Sequence, residues 1–133
     1  MSARPFLWVT AVIEILTGLA LLARPGTVVT ALAGVADPAS EALFAGRLAG
    51  AALLAIGIGC AIAANARGGR ALVGILAVAL VYDIGAAALF IATGVGQTAA
   101  GPAIWPAAVL HAVLTVWAAL CLRAAATEAG AGL

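Results

Sequence analysis

The sequence predicts an all-α membrane protein, a bundle of four transmembrane helices, and three observations carry that prediction. The chain has 133 residues, of which 66% are hydrophobic and 8% are charged, whereas a soluble domain is about half apolar and about a quarter charged. The apolar residues fall into four continuous runs, each near the roughly 20 residues that a helix needs to cross a bilayer. None of the runs shows the period-2 alternation of a transmembrane β-strand, so backbone groups in lipid must be satisfied within helices.

The four runs define four spans within a single domain, residues 1–133. In chain order the predicted spans are residues 6–23, 41–64, 71–93 and 103–122. The first run resembles a signal peptide, but the glutamate inside it favours a membrane helix that is retained.

Three connectors join the predicted spans. Residues 65–70, NARGGR, form a short polar break, and residues 94–101, GVGQTAAG, form a loop of small residues. The longest connector, residues 24–40, contains an apolar stretch too short to span, which predicts either a short interfacial helix or a tucked-in loop. At its end, Asp37 and Pro38 are typical of an N-cap followed by proline in the first helical turn.

The arginines predict the orientation of the bundle. With four spans, Arg4, Arg67, Arg70 and Arg123 lie on one side of the membrane and Arg24 on the other. Positively charged residues concentrate on the cytoplasmic side of membrane proteins, so we expect both termini there.

One ionisable residue lies in each apolar run, and these four residues are the candidate site. They are Glu14, Arg47, Asp83 and His111. A charge at mid-membrane costs a few kcal/mol, so each should face the bundle interior or an oligomer partner. From the helical rise, they lie about 15, 9, 15 and 12 Å from the outer ends of their spans. We therefore expect one polar cluster, with Tyr82 beside Asp83 as a further ligand- or proton-binding residue.

The roles of these residues remain open at the level of sequence. Arg47 either pairs with Glu14 or Asp83 and pins the bundle, or extends toward the outer membrane surface. One arginine cannot neutralise two acids, so at least one acid should hold its proton near neutral pH, as in a proton carrier. His111 either bonds an acid or a carbonyl, relays protons or contacts a ligand, or binds a haem or metal.

Several chemistries are disfavoured by composition. The six basic residues are all arginine, which excludes a lysine Schiff base and a P-loop lysine, and Cys60 and Cys121 do not form a CxxC motif. A single histidine cannot build a multi-histidine metal site. We therefore expect no catalytic residues, no metal site and no cofactor. The net charge of +1 gives no indication of a nucleic-acid partner.

Three segments resemble a group of small bacterial four-helix membrane proteins, the DoxX-like proteins and related domains of unknown function. The segments are RLAGAALLAIGIGCAIA, LVYDIGAAALF and IWPAAVLHAVLTVW. The shared pattern comprises Arg47, the Tyr82–Asp83 step, the Trp105–Pro106 step and His111. The resemblance implies a multi-pass protein of the bacterial inner membrane without a settled activity. The association of DoxX-like proteins with membrane redox complexes implies a redox component as one alternative.

Three functions remain in competition. The first is a bundle that binds or transports a small molecule, with coupling to protons, through the polar cluster. The second is a structural or accessory subunit of a membrane complex, in which the buried charges specify helix register and partner choice. The third is a membrane redox component. Besides the lipid bilayer, the expected partners are a small-molecule ligand and either further copies of the chain or a larger membrane complex. We expect binding or transport rather than catalysis.

Overall fold

The computed structural model describes residues 2–66, 69–96 and 100–130, with side chains up to residue 127. Within these residues the chain forms five helices and no strand. The helices are α1 (Arg4–Ala23), α2 (Pro25–Ala33), α3 (Ser40–Ala64), α4 (Arg70–Gly96) and α5 (Ile104–Gly130). All but α2 are long and apolar enough to cross a membrane. The all-α fold with four membrane-spanning helices is therefore confirmed.

The structure describes one of the three connectors between the spans in full and the other two in part. Parts of the connectors 65–70 and 94–101, including Arg67, lie outside the described residues. The long connector between α1 and α3 contains the short helix α2. Of the two forms predicted for this connector, a helix and a tucked-in loop, the structure therefore has the helix. Gly34 ends α2 in the left-handed conformation with φ 73°, where glycine carries no Cβ penalty. The N-cap predicted at Asp37 is wrong, because α3 begins at Ser40 after an extended Ala39.

The segment before α5 is hydrogen-bonded to the end of α2. The backbone N–H of Gly101 donates to the carbonyl of Leu32 at 3.0 Å, and that of Ala103 donates to the carbonyl of Ala31 at 2.9 Å. A side chain at position 101 would overlap the backbone of Ala31, so this close approach requires glycine. These bonds satisfy carbonyls at the C-terminus of α2 that have no partner within the helix.

Helices α1 and α3 contact each other through glycines. A Cβ placed on Gly18 would lie 2.7 Å from the carbonyl oxygen of Gly50, and one on Gly57 would lie 2.8 Å from Cγ1 of Ile15. Such contact between helix backbones is typical of small-residue interfaces in membranes. Gly46 and Gly50 form a GxxxG step on α3, and a Cβ on Gly50 would lie 2.8 Å from the carbonyl oxygen of Gly18 on α1.

The bundle consists of two helix pairs, α1 with α3 and α4 with α5, which pack extensively within each pair and sparsely between pairs. The pairs meet in an apolar core on the side of the chain termini. That core includes Phe6 and Leu7 of α1, Cys60 of α3, Leu76 of α4 and Leu114 of α5. Phe6 also contacts Trp117 of α5 edge to face, with ring centroids 5.6 Å apart. The polar residues lie beyond this core, toward the middle of the bundle.

Candidate functional site

Helix α1 turns a face of polar and small residues toward the bundle interior. Thr10, Glu14 and Gly18 recur every four residues and therefore share one face of the helix. Thr10 is fully buried and Glu14 is 1% exposed. Gly18 holds α1 against α3, so the same face that makes the glycine contact also turns Glu14 inward.

Helices α4 and α5 are joined by a pair of ionisable side chains. Nδ1 of His111 lies 2.7 Å from Oδ1 of Asp83, the distance of a charge-assisted hydrogen bond from an imidazole N–H to a carboxylate. The imidazole also contacts the rings of Tyr82 and Phe90, at centroid distances of 5.4 and 5.5 Å. These contacts fix the orientation of the imidazole.

The structure brings Glu14, Asp83 and His111 together into what we call the acid–histidine triad. One ligand-type atom from each residue lies within 4.8 Å of the other two. Asp83 is fully buried and His111 is 6% exposed. Tyr82, which is half-buried, packs its ring against the His111 imidazole and also lines a shallow apolar groove on the outer surface of α4. The triad therefore unites three helices across the boundary between the two pairs.

Three buried oxygens at this boundary have no hydrogen-bond partner among the described residues. They are Oγ1 of Thr10, Oε1 of Glu14 and Oδ2 of Asp83. Leaving a buried polar group unpartnered costs about 1–3 kcal/mol, and more for a charged one. Three such atoms in one cluster indicate a site arranged to receive a proton, a water molecule or a ligand rather than one completed by the protein alone.

Arg47 does not join the cluster, and the expectation that it does is wrong. Its side chain is exposed on the surface of the bundle. In the part of the chain that the structure describes, the ion pair of Asp83 is with His111. The reason is the glycine contact: α3 turns Gly46, Gly50 and Gly57 inward, and a residue next to Gly46 lies about 100° away around the helix, toward lipid.

Because Arg47 lies outside the site, we expect Arg47→Ala to change the free energy of unfolding by no more than about 0.5 kcal/mol, as for other surface substitutions. The measurement is titration with sodium dodecyl sulfate, followed by tryptophan fluorescence. Phe44→Ala, on the same exposed helix and 69% exposed, serves as a control. Loss of several kcal/mol in Arg47→Ala would mean that the arginine has a buried partner.

Two residues at the site are not among the site residues predicted from the sequence. Thr10 carries one of the unpartnered oxygens, and its spacing of four residues from Glu14 is a signal that identifies it. Phe90 contacts the imidazole and lies seven residues after Asp83, the spacing of one face of a helix.

The described structure places Glu14, Asp83, His111 and Tyr82 in one site and Arg47 outside it. Comparisons with protein-family models, with curated proteins and with solved structures find no match for this chain. The resemblance to DoxX-like proteins therefore stays a prediction.

Proposed function

We propose that this chain is a membrane carrier for a small positively charged solute, coupled to protons, with the acid–histidine triad as the shared binding site. The observation that carries the proposal is the gathering of two carboxyls and one imidazole within 4.8 Å of one another in the bundle interior. Ionisable residues inside membrane spans mark solute and proton pathways in transport proteins. The proposal places the carrier in the bacterial inner membrane with both termini in the cytoplasm, as one copy or a homo-oligomer.

The charge of the site favours a cation. With Arg47 on the surface, the positive charge available within the triad is that of His111, which already bonds Asp83. A second carboxylate, on Glu14, then requires either its own proton or a positively charged solute, because an unpaired buried charge is costly. Protons and a cationic solute therefore compete for the same carboxyl oxygens, which is the basis of coupled exchange.

The packing of the bundle favours a carrier over a channel. The apolar core on the side of the chain termini, which includes Leu76 and Leu114, separates the triad from that side. A solute that reaches the triad must therefore wait for the two helix pairs to rearrange before it leaves on the other side. Sparse contact between the pairs, beside tight contact within each pair, is the arrangement that such a rigid-body motion requires.

We expect the purified protein, reconstituted in liposomes, to couple cation entry to proton movement. The liposomes contain a pH-sensitive dye and an acidic interior, and each of three cations is added outside: Mn²⁺, guanidinium and tetraphenylphosphonium. At least one should dissipate the pH gradient in a protein-dependent manner. Glu14→Gln and Asp83→Asn should reduce that rate by tenfold or more, because each removes a carboxylate that binds the cation.

Glu41→Gln is the matched control, since Glu41 is an exposed acid in the first turn of α3, and it should retain the parent rate. All variants are first checked for helical circular dichroism and a single size-exclusion peak. The proposal fails if no cation dissipates the gradient, or if folded Glu14→Gln and Asp83→Asn both transport like the parent.

A second candidate function, a structural or accessory subunit, is favoured by one observation. The Asp83–His111 bond joins α4 to α5 at a fixed register, and a buried pair of this kind can specify helix alignment without binding any solute. The double variant Asp83→Leu/His111→Leu, tested for both stability and transport, separates this function from the carrier.

A further inference from the structure

We propose that the acid–histidine triad is a binding site for a divalent transition-metal cation. The inference deepens the carrier proposal by naming the class of solute, and it rests on that proposal only for the movement of the ion, not for its binding. It depends on three features of the described residues: the spacing of the ligand atoms, their charge, and the buried oxygens that lack partners.

The spacing suits a single ion. Two ligands on one transition metal are roughly 3–4 Å apart, because each metal–ligand bond to nitrogen or oxygen is about 2.0–2.2 Å long. The candidate atoms of Glu14, Asp83 and His111 are all within 4.8 Å of one another. An ion that binds all three residues draws these atoms together and replaces the hydrogen bond between Asp83 and His111.

The charge of the site also suits a divalent ion. Two carboxylates and a neutral imidazole carry a charge of −2, and a divalent cation neutralises it in one step. A monovalent cation leaves one negative charge in the membrane interior, which is costly. The exposed position of Arg47 matters here, because an arginine in the site would repel the ion.

The unpartnered oxygens show where the ion binds. Oε1 of Glu14 and Oδ2 of Asp83 are buried without partners, and both residues are at most 1% exposed. Oγ1 of Thr10, also buried and unpartnered, lies one helical turn from Glu14 and can hydrogen-bond a water molecule on the metal. An ion at this point supplies the partner that the protein does not.

The types of ligand select the class of metal. Imidazole suits Zn²⁺, Fe²⁺ and Ni²⁺, whereas sites made of oxygen alone suit Mg²⁺ and Ca²⁺. Three protein ligands leave at least one coordination position open, as in sites that exchange ligands rather than in closed structural sites.

The test is binding of Co²⁺ to the protein in detergent, after treatment with a chelator. Cobalt reports nitrogen and oxygen coordination through its visible d–d absorption. We expect the band to saturate at one Co²⁺ per chain, Zn²⁺ to abolish it and Mg²⁺ to leave it unchanged. Glu14→Gln and His111→Gln should each weaken Co²⁺ binding by tenfold or more, while Glu14→Asp, which keeps the carboxylate, should retain part of the affinity.

Two controls distinguish this site from others in the chain. Glu41→Gln should bind Co²⁺ like the parent, because Glu41 is exposed at the start of α3. The double variant Cys60→Ala/Cys121→Ala should also bind normally, which excludes the buried thiols as ligands. Absence of the band in the parent protein, or an unchanged affinity in folded Glu14→Gln and His111→Gln, overturns the inference.

The binding test and the transport test fail independently. If Co²⁺ does not bind but guanidinium or tetraphenylphosphonium still dissipates the pH gradient, the metal inference is wrong and the carrier proposal stands. If Co²⁺ binds with the expected dependence on Glu14 but no cation moves protons, the metal site stands and the carrier proposal is wrong.

Discussion

Replacing His111 with leucine is expected to lower the free energy of unfolding by about 3–5 kcal/mol, the usual cost of removing one partner of a buried charged pair. The variant leaves Asp83, which is fully buried, with neither oxygen bonded. The Asp83 carboxyl then lies beside the Glu14 carboxyl, so two acids share a site without a cation. The measurement is titration with sodium dodecyl sulfate followed by tryptophan fluorescence, since Trp117 packs against Phe6 in the core.

The double variant Asp83→Leu/His111→Leu should recover most of that stability. Removing both members of a buried pair leaves no unsatisfied group, and apolar replacements are often neutral or stabilising. The control is Val81→Ala, two residues from Asp83 on the exposed face of α4, which should have little effect. If the double variant is as unstable as the sum of the two single variants, the bond between Asp83 and His111 is not what stabilises this region.

The same double variant separates the two candidate functions. If the pair is purely structural, the double variant should behave like the parent protein in every assay, transport included. The carrier proposal predicts a folded, stable protein that no longer dissipates the pH gradient, because two of the three triad residues are absent. Stability and transport measured on one preparation therefore decide between them.

The four spans were predictable because the length of an apolar run limits what it can do in a membrane. A run such as the one around Asp83 is too long and too continuous for anything but a spanning helix. Depth along each span follows from the helical rise, so the similar levels of Glu14, Asp83 and His111 could be estimated by counting residues. Their convergence in one site agrees with that count.

The face of each helix was harder to predict than the depth. Every run is apolar on all sides, so hydrophobic periodicity does not tell which side faces the bundle. The predicted position of Arg47 was wrong for this reason. The glycines of α3, rather than its charged residue, determine which face of the helix points inward. A GxxxG step defines a face, and the residue beside it, Arg47, belongs to another face.

The partner of Asp83 was also beyond the sequence. The sequence left both Arg47 and His111 open as the partner of an acid, because each carries or can carry a positive charge within its span, and residue type alone does not decide between them. The pairing depends instead on which helices are neighbours, and α4 packs on α5, which carries His111, more than on α3. Likewise, α2 was too short for the length argument to specify its conformation.

The second large effect is expected at the glycine contact: Gly18→Ala should destabilise the protein by about 1–3 kcal/mol, the usual cost of overpacking. The added Cβ would lie 2.7 Å from the carbonyl oxygen of Gly50 and 2.8 Å from the amide nitrogen of Leu54. Both atoms belong to the backbone, so they cannot rotate away and the helices must separate. Stability is measured by the same detergent titration.

The matched control and a double variant show whether the effect comes from the contact. Gly74→Ala adds the same methyl group to α4 where no atom lies within 4 Å, so it should be neutral or slightly stabilising, as alanine favours helix more than glycine. Gly50→Ala should cost about as much as Gly18→Ala, but the double variant should cost less than their sum, because one separation of α1 from α3 relieves both overlaps. Strict additivity of the two free-energy changes would contradict a shared contact.

Since α1 also carries Glu14, the same separation of α1 from α3 should weaken Co²⁺ binding in Gly18→Ala. Co²⁺ binding should be unchanged in Gly74→Ala.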